Sequence, residues 1–398
     1  MTQRYTVLRG VRGLHTRDPF SGGVPASGLE SFGPSPGVTT PPEPRVDVAD
    51  LSPRDIRDLS RDPEVAAVAP VMPIQLMKPS SVDATTAATS AWGIATVKAN
   101  TSSCDGMGVV VAVLDTGIDA SHPAFQGVEL VQQDFSGSGD GDRNGHGTHC
   151  AGTIFGRDVG GTRIGVARGV RKALIGKVLN DQGGGDSDSI FRAIQWALDG
   201  GARVISMSLG FDFPGFVERS ISQGWPAALA TSRALEAYRG NLRMLDALMA
   251  MVNARVAFDG GAVVVAASGN ESRPQFKISV AIPAAAQGVI SVGAVERTAN
   301  NALAVASFSN TLPEVCAPGV NVLSAKAGGG LVALNGTSMA TPHVAGVAAL
   351  WWQALKGSVP MVRAQQVVAR LFASARTDGF ASGVDTADRG MGLVTAPP

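Results

Sequence analysis

Cysteine is scarce in this 398-residue chain, which holds three, Cys104, Cys150 and Cys316, far apart. An odd and scattered set excludes a disulfide framework and a clustered zinc site, so free, mostly buried thiols are expected. Net charge is also lacking, with 33 basic residues balanced by 33 acidic ones. Such a chain offers no electrostatic footprint for nucleic acid or an anionic membrane. No apolar run reaches the ~18–20 residues of a membrane-spanning helix. The opening residues, Met1 to Leu8, lack a basic region followed by an apolar one, so no secretory leader is read there. With the unpaired thiols, this favours a cytoplasmic location over non-classical secretion. What the chain has in quantity is glycine, 49 residues, and 44% hydrophobic content. That suits a large, tightly turned enzyme core.

Three regions are read along the chain: a small unit over 1–80, a polar linker over 81–91, and a large domain over 92–398. In the first, residues 4–9, 46–51 and 65–71 are expected as strands. Residues 21–44, rich in Gly, Pro and Ser, are expected as a flexible loop. Ser52-Pro53-Arg54-Asp55 opens a short helix, with Ser52 as N-cap, Pro53 at its first position and Pro63 beyond its end. From Gly108 onward the pattern changes to buried runs at 109–114, 173–178, 204–209, 263–267, 289–295 and 320–323, with helical stretches between them. Continuous apolar runs fit strands buried on both faces, so an α/β doubly wound, mostly parallel sheet is expected, with helices on both faces. Chemistry then belongs at the carboxyl ends of the strands.

Asp115, Gly210 and Asn270 fall just after such strands. Asp115 has no G-x-G-x-x-G around it, and no G-x-x-x-x-G-K-[ST] occurs anywhere, which disfavours a nucleotide site. In Gly145-His146-Gly147-Thr148-His149 the two histidines lack the glutamate of H-E-x-x-H and a third ligand, so zinc is not expected. His146 reads better as a general base and His149 as a structural residue. Asn270 reads either as a turn residue or as an amide donor to an oxyanion. Ser338, before the apolar run 344–352, sits at a helix N-terminus, with Pro342 expected in the first turn. Such a place favours a developing negative charge, although an ordinary helix-capping serine is the alternative. Acid, base, amide donor and serine are together the parts for acyl transfer by an activated serine.

The blocks Asp115-Thr116-Gly117-Ile118-Asp119, Gly145-His146-Gly147-Thr148-His149-Cys150-Ala151-Gly152 and Gly336-Thr337-Ser338-Met339-Ala340-Thr341-Pro342-His343 resemble the three signatures of the subtilisin-like serine proteases. Their wording is nearest the proteinase K branch. The order Asp, His, Ser is also the subtilisin order. The resemblance covers roughly residues 90–398 and implies a serine endopeptidase that needs no cofactor for its chemistry. It implies Ser338 as nucleophile, His146 as base and acid, Asp115 as the residue orienting His146, and Asn270 in the oxyanion hole. It also implies Ser208, Leu209 and Gly210 as one substrate-binding edge and Gly183 and Gly184 as the other, with Gly269 and Ala281 beside them. Ala281, in the segment resembling the floor of the pocket before the cleaved bond, implies small-to-medium apolar residues there.

Residues 1–80 resemble the family's inhibitory propeptide, although the Gly/Pro-rich insert stands where relatives have a helix. Self-cleavage is expected between about Met77 and Ser90. The expected partners are polypeptide substrates and this N-terminal unit acting as an intramolecular inhibitor of a monomer. Ala124 stands where calcium-binding members carry an acidic ligand, and residues 156–165 offer only Asp158. Calcium is not expected there, and other sites stay open. Residues 211–259 are longer than the family norm. Leu242, Leu245, Met249, Val252 and Val256 share one face, read as an extra core helix or as a surface for a partner or substrate.

Overall fold

A computed structural model describes residues 2–11, 43–77, 79–81 and 90–398. Most of the Gly/Pro-rich insert and most of the linker lie outside the described residues. The N-terminal unit contains β1 (Gln3–Val11), β2 (Glu43–Leu51), α1 (Pro53–Leu59) and β3 (Val65–Pro70). Its sheet is antiparallel, in the order β2-β1-β3. Ser52 caps α1 as the sequence predicts: its side chain accepts from Asp55 N–H, and Asp55 reaches back to Ser52 N–H. Two short strands follow, β4 (Pro73–Leu76) and β5 (Ser80–Ser81).

The large domain continues with α2 (Trp92–Thr96), β6 (Val110–Asp115), β7 (Glu129–Asp134), α3 (His146–Phe155), β8 (Lys172–Lys177), β9 (Gly184–Asp186) and α4 (Ser187–Asp199). Next come β10 (Val204–Met207), β11 (Leu209–Phe211), α5 (Phe213–Ser222), α6 (Ala227–Asp259), β12 (Val263–Ala267), β13 (Val289–Arg297), β14 (Leu303–Val305) and β15 (Val315–Pro318). The hairpin β16 (Val322–Ala325) and β17 (Leu331–Asn335) leads into α7 (Thr337–Lys356), α8 (Ala364–Ser374) and α9 (Thr386–Arg389).

The central sheet runs β14-β13-β12-β10-β6-β8-β7, with β15 also on β13. Every pairing in it is parallel except β13 with β14. Successive side chains on a strand point to opposite faces, and the core divides accordingly. Val111 and Val113 of β6 join Ile154, Met339, Val344 and Val367 from α3, α7 and α8. Ala112 and Leu114 join Phe191, Ile194, Leu245 and Leu248 from α4 and α6. This is the doubly wound α/β fold, and it explains why the strand sequences are apolar throughout.

The long 211–259 stretch divides into two helices, α5 and α6. Its lower half supplies core residues, with Met244, Leu245, Leu248, Met249, Val252 and Val256 buried. The helix stops at Gly260, whose φ of 84° is the left-handed conformation that glycine tolerates. The N-terminal unit rests on this same layer, because Leu8, Ala69, Met72, Ile74 and Leu76 belong to one apolar cluster with Phe191, Met207 and Leu245. By contrast, α1 buries none of its own residues.

Candidate active site

Asp115 ends β6 and is buried, with Thr116 N–H donating to its Oδ1 at 2.7 Å. His146 opens α3, and its Nδ1–H donates to Asp115 Oδ1 at 2.7 Å. That bond leaves Nε2 as the basic nitrogen. Nε2 is buried and has no hydrogen-bond partner among the described residues. Burial alone pushes the His146 pKa down, but the adjacent Asp115 carboxylate outweighs it and holds the pKa well above the ordinary 6.5.

The turn before His146 depends on a residue that the sequence reading did not single out. Asp142 Oδ1 accepts from Gly145 N–H (2.8 Å), Asn144 N–H (3.1 Å) and Thr116 Oγ1 (2.9 Å). Its Oδ2 accepts from Thr148 N–H (2.9 Å) and Oγ1 (2.6 Å). One carboxylate thus ties the Asp115 turn to the first turn of α3. Its position three residues before a helix-capping glycine was the available signal. Gly147 is required beside it, because a Cβ there would lie 2.2 Å from Gly117 carbonyl oxygen.

Ser338 is the second residue of α7, which Gly336 caps in extended backbone. Pro342, expected in the first turn, lies inside the helix instead. Its missing N–H leaves the carbonyl four residues earlier, that of Ser338, without a helical donor. Ser208 Oγ at 3.2 Å and Cys150 Sγ at 3.4 Å donate to it instead. The proline therefore ties the serine turn to both α3 and Ser208, the residue between β10 and β11.

Asn270 follows β12, and its Oδ1 accepts from both Thr337 N–H and Thr337 Oγ1 at 2.9 Å. This orients the amide so that Nδ2 donates to Met77 carbonyl oxygen at 3.4 Å. Ser338 Oγ donates to the same oxygen at 3.1 Å. The chain leading to Met77 is β4, added between two edges. On one side Leu76, Gln75 and Ile74 pair with Leu209, Gly210 and Phe211. On the other, Gln75, Ile74 and Pro73 pair with Gly184, Gly185 and Asp186. Gly183 carbonyl accepts from Leu76 N–H at 2.8 Å. The Met77 side chain lies against Gly210, where an added Cβ would be 2.0 Å from Met77 Cε.

Other expected residues support this site from behind. Gly269 donates its N–H to Thr337 Oγ1 at 3.2 Å and shapes the loop carrying Asn270. Ala281 donates to Ser268 carbonyl, and the next residue, Ile282, accepts from Phe211 N–H. His149 does not converge with His146. Its Nε2 lies against the carbonyls of Val322 (3.0 Å) and Val332 (3.2 Å), and burial lowers its pKa to about 3. The imidazole is neutral and structural, so the two histidines form no zinc site. Asp115, His146 and Cys150 are the one compact group of potential metal ligands among the described residues. Burial pushes the Cys150 thiol up, away from the thiolate that a metal requires.

The residues around Ala124 and the 156–165 loop do not fit calcium. Ala124 is buried with an apolar side chain, and the Asp158 carboxylate is 3.4 Å from Arg168 Nη1. Calcium needs six to eight oxygens.

The sequence model of the subtilase family matches residues 106–392. Over 310 residues the chain is 36% identical to a thermostable alkaline protease of Halalkalibacterium halodurans, covering 76% of this chain and 71% of that protein. It is 36% identical over 313 residues to subtilisin DY of Bacillus licheniformis, covering 77% and 97%. With subtilisin E of Bacillus subtilis the figures are 34% over 310 residues, 76% and 69%. These relatives overturn one expectation. The cytoplasmic location, drawn from the opening residues and unpaired thiols, does not stand, because the matches are to secreted subtilisins.

Proposed function

The chain belongs to the subtilase family and is a subtilisin-like serine protease, and on that premise we propose that it is made as a precursor closed by its own residues 1–77. Subtilases need no cofactor for catalysis. The remaining steps fall to side chains. Ser338 Oγ attacks the carbonyl carbon of Met77 while His146 Nε2 takes its proton. Asp115 holds the imidazole in the required tautomer and balances the charge it gains. The oxyanion is met by Asn270 Nδ2 and Ser338 N–H at the N-terminus of α7. His146 then returns the proton to the departing amine of Lys78, and water releases the acyl group by the same route reversed.

One observation carries this reading. Met77 carbonyl oxygen stands 3.1 Å from Ser338 Oγ and 3.4 Å from Asn270 Nδ2, at the end of a strand gripped on both sides. It narrows the cleavage expected between Met77 and Ser90 to the bond after Met77. A methionine there also agrees with a pocket for medium apolar side chains. Covalent tethering gives the segment an effective concentration in the millimolar range, so a weak inhibitor suffices. The family residues, the tether and the closed cleft together favour a monomeric, self-inhibited endopeptidase of polypeptide substrates.

N-terminal sequencing and intact mass test it. Purified wild type is expected to yield a chain beginning at Lys78, and Ser338→Ala to remain whole. An active wild type with an uncut chain would refute it.

A further inference from the structure

The chain stays bound well upstream of the four residues that β4 contributes. Pro73 carbonyl accepts from Asp212 N–H at 3.1 Å. Both backbone groups of Met72 are taken by one residue: its N–H donates to Ser187 Oγ at 3.0 Å and its carbonyl accepts from Ser187 N–H at 2.8 Å. The Met72 side chain is fully buried in the apolar cluster formed with α4 and α6. Pro70 carbonyl accepts from Asn241 Nδ2 at 2.8 Å. Asn241 is itself fully buried on α6, and its Oδ1 has no partner among the described residues. Gly240 beside it leaves room for the passing chain, since a Cβ would meet Pro70 Cδ at 3.3 Å and Ala69 Cβ at 3.4 Å.

Ser187, Asp212 and Asn241 all belong to the protease domain and remain when residues 1–77 leave. Along an apolar groove they then turn to water Ser187 N–H and Oγ, Asp212 N–H, and the one Asn241 Nδ2 hydrogen that Ala237 carbonyl does not already take. A chain that covers them displaces this water and has to replace its hydrogen bonds, and an extended backbone is the chemistry that matches such a row. Counting Met77 as the first residue before the cut, Met72 is the sixth and Pro70 the eighth. We propose that the processed enzyme has an upstream subsite, formed by Ser187, Asn241 and the α4–α6 groove. It takes polypeptide extended over eight residues before the cleaved bond, with an apolar side chain at the sixth. This rests on the reading of residues 73–77 as a substrate-like occupant of the cleft.

The test uses the full chain after self-processing and three acetylated peptides with a chromogenic group after Met77: residues 74–77, 72–77 and 70–77. Extension from 74–77 to 72–77 is expected to raise kcat/KM at least about tenfold, from two backbone hydrogen bonds and one buried side chain. Further extension to 70–77 is expected to add about threefold, a ratio that falls to near one in Asn241→Leu. Met72→Asp in the peptide is expected to abolish the first gain. Equal kcat/KM for all three peptides would overturn the upstream subsite and leave the reading of the cleft intact. If peptide 74–77 is not cut while an unfolded protein is, that underlying reading fails, and the subsite with it.

Discussion

Asn270→Ala removes the donor whose orientation the structure explains most completely. Thr337 N–H and Oγ1 both hold the amide oxygen at 2.9 Å, so Nδ2 is fixed in place before substrate arrives. Its 3.4 Å distance to Met77 oxygen is long for a hydrogen bond to a ground-state carbonyl. The bond shortens as the carbon becomes tetrahedral and its oxygen gains charge, so the loss should fall on the chemical step and little on binding. Removing such a donor costs about 10²–10³-fold in kcat, or about 2.7–4 kcal/mol, a magnitude known from a subtilisin and carried over to this relative. The proposed precursor would isolate that step, since Met77 already lies against Ser338 and a first-order rate of self-cleavage contains no binding term. Conversion on a gel over time should therefore slow by the full factor. A thermal melt on Asn270→Ala controls for the two donors left on Thr337, each costing about 1–3 kcal/mol if unsatisfied. A self-cleavage rate within about threefold of wild type would refute the role given to Asn270.

Other outcomes follow from the same site. Hydrolysis needs neutral His146, whose pKa is raised, so kcat/KM should climb with pH through a value above the ordinary 6.5, and an acid limb centred at or below it would contradict the pairing with Asp115. The same shift stabilises the fold fully below about pH 6.5 and is lost as pH rises through the folded-state pKa. His149 and His343 act oppositely, because burial lowers them to about 3 and about 4. Each should cost about 2 kcal/mol of stability between pH 6.5 and 5, measurable as a flatter acid limb of Tm in His149→Gln. Gly210→Ala places a methyl against the end of the Met77 side chain, so cleavage after Met should fall about tenfold relative to cleavage after Ala in paired peptides. An unchanged ratio would show that Gly210 does not face the residue before the cut.

The buried strands were legible because a parallel strand covered on both faces has to be apolar at every position, as 263–267 is. The places of Asp115, His146, Asn270 and Ser338 were legible because Asp115 ends a strand, Asn270 lies in the loop just after one, and His146 and Ser338 stand in the first turn of a helix, all within distinctive wording. Pro342 was misplaced because sequence rules penalise an interior proline, whereas here Ser208 and Cys150 satisfy the carbonyl that it deprives of a donor. Asp142 and Asn241 were not legible as partners. Their roles depend on groups brought together across the fold, Thr116 with Thr148 in one case and Pro70 in the other. Nor could spacing show which residue of the N-terminal unit's tail meets Ser338, because that register is set by β4 pairing with two edges at once.

In the proposed precursor, the apolar cluster that Leu8, Ala69, Met72, Ile74 and Leu76 share with the protease domain would separate cutting from switching on. Hydrolysis after Met77 would break a tether without itself removing the apolar contacts across that boundary. The severed piece must expose those side chains to water before it can go, a barrier closer in kind to partial unfolding than to release of a small product. Onset of activity should then lag behind scission and shorten with concentration, since the first open molecules can digest fragments leaving the others. A population of such molecules would show a delay followed by a sharp rise, with its timing governed by how firmly one piece of core holds another.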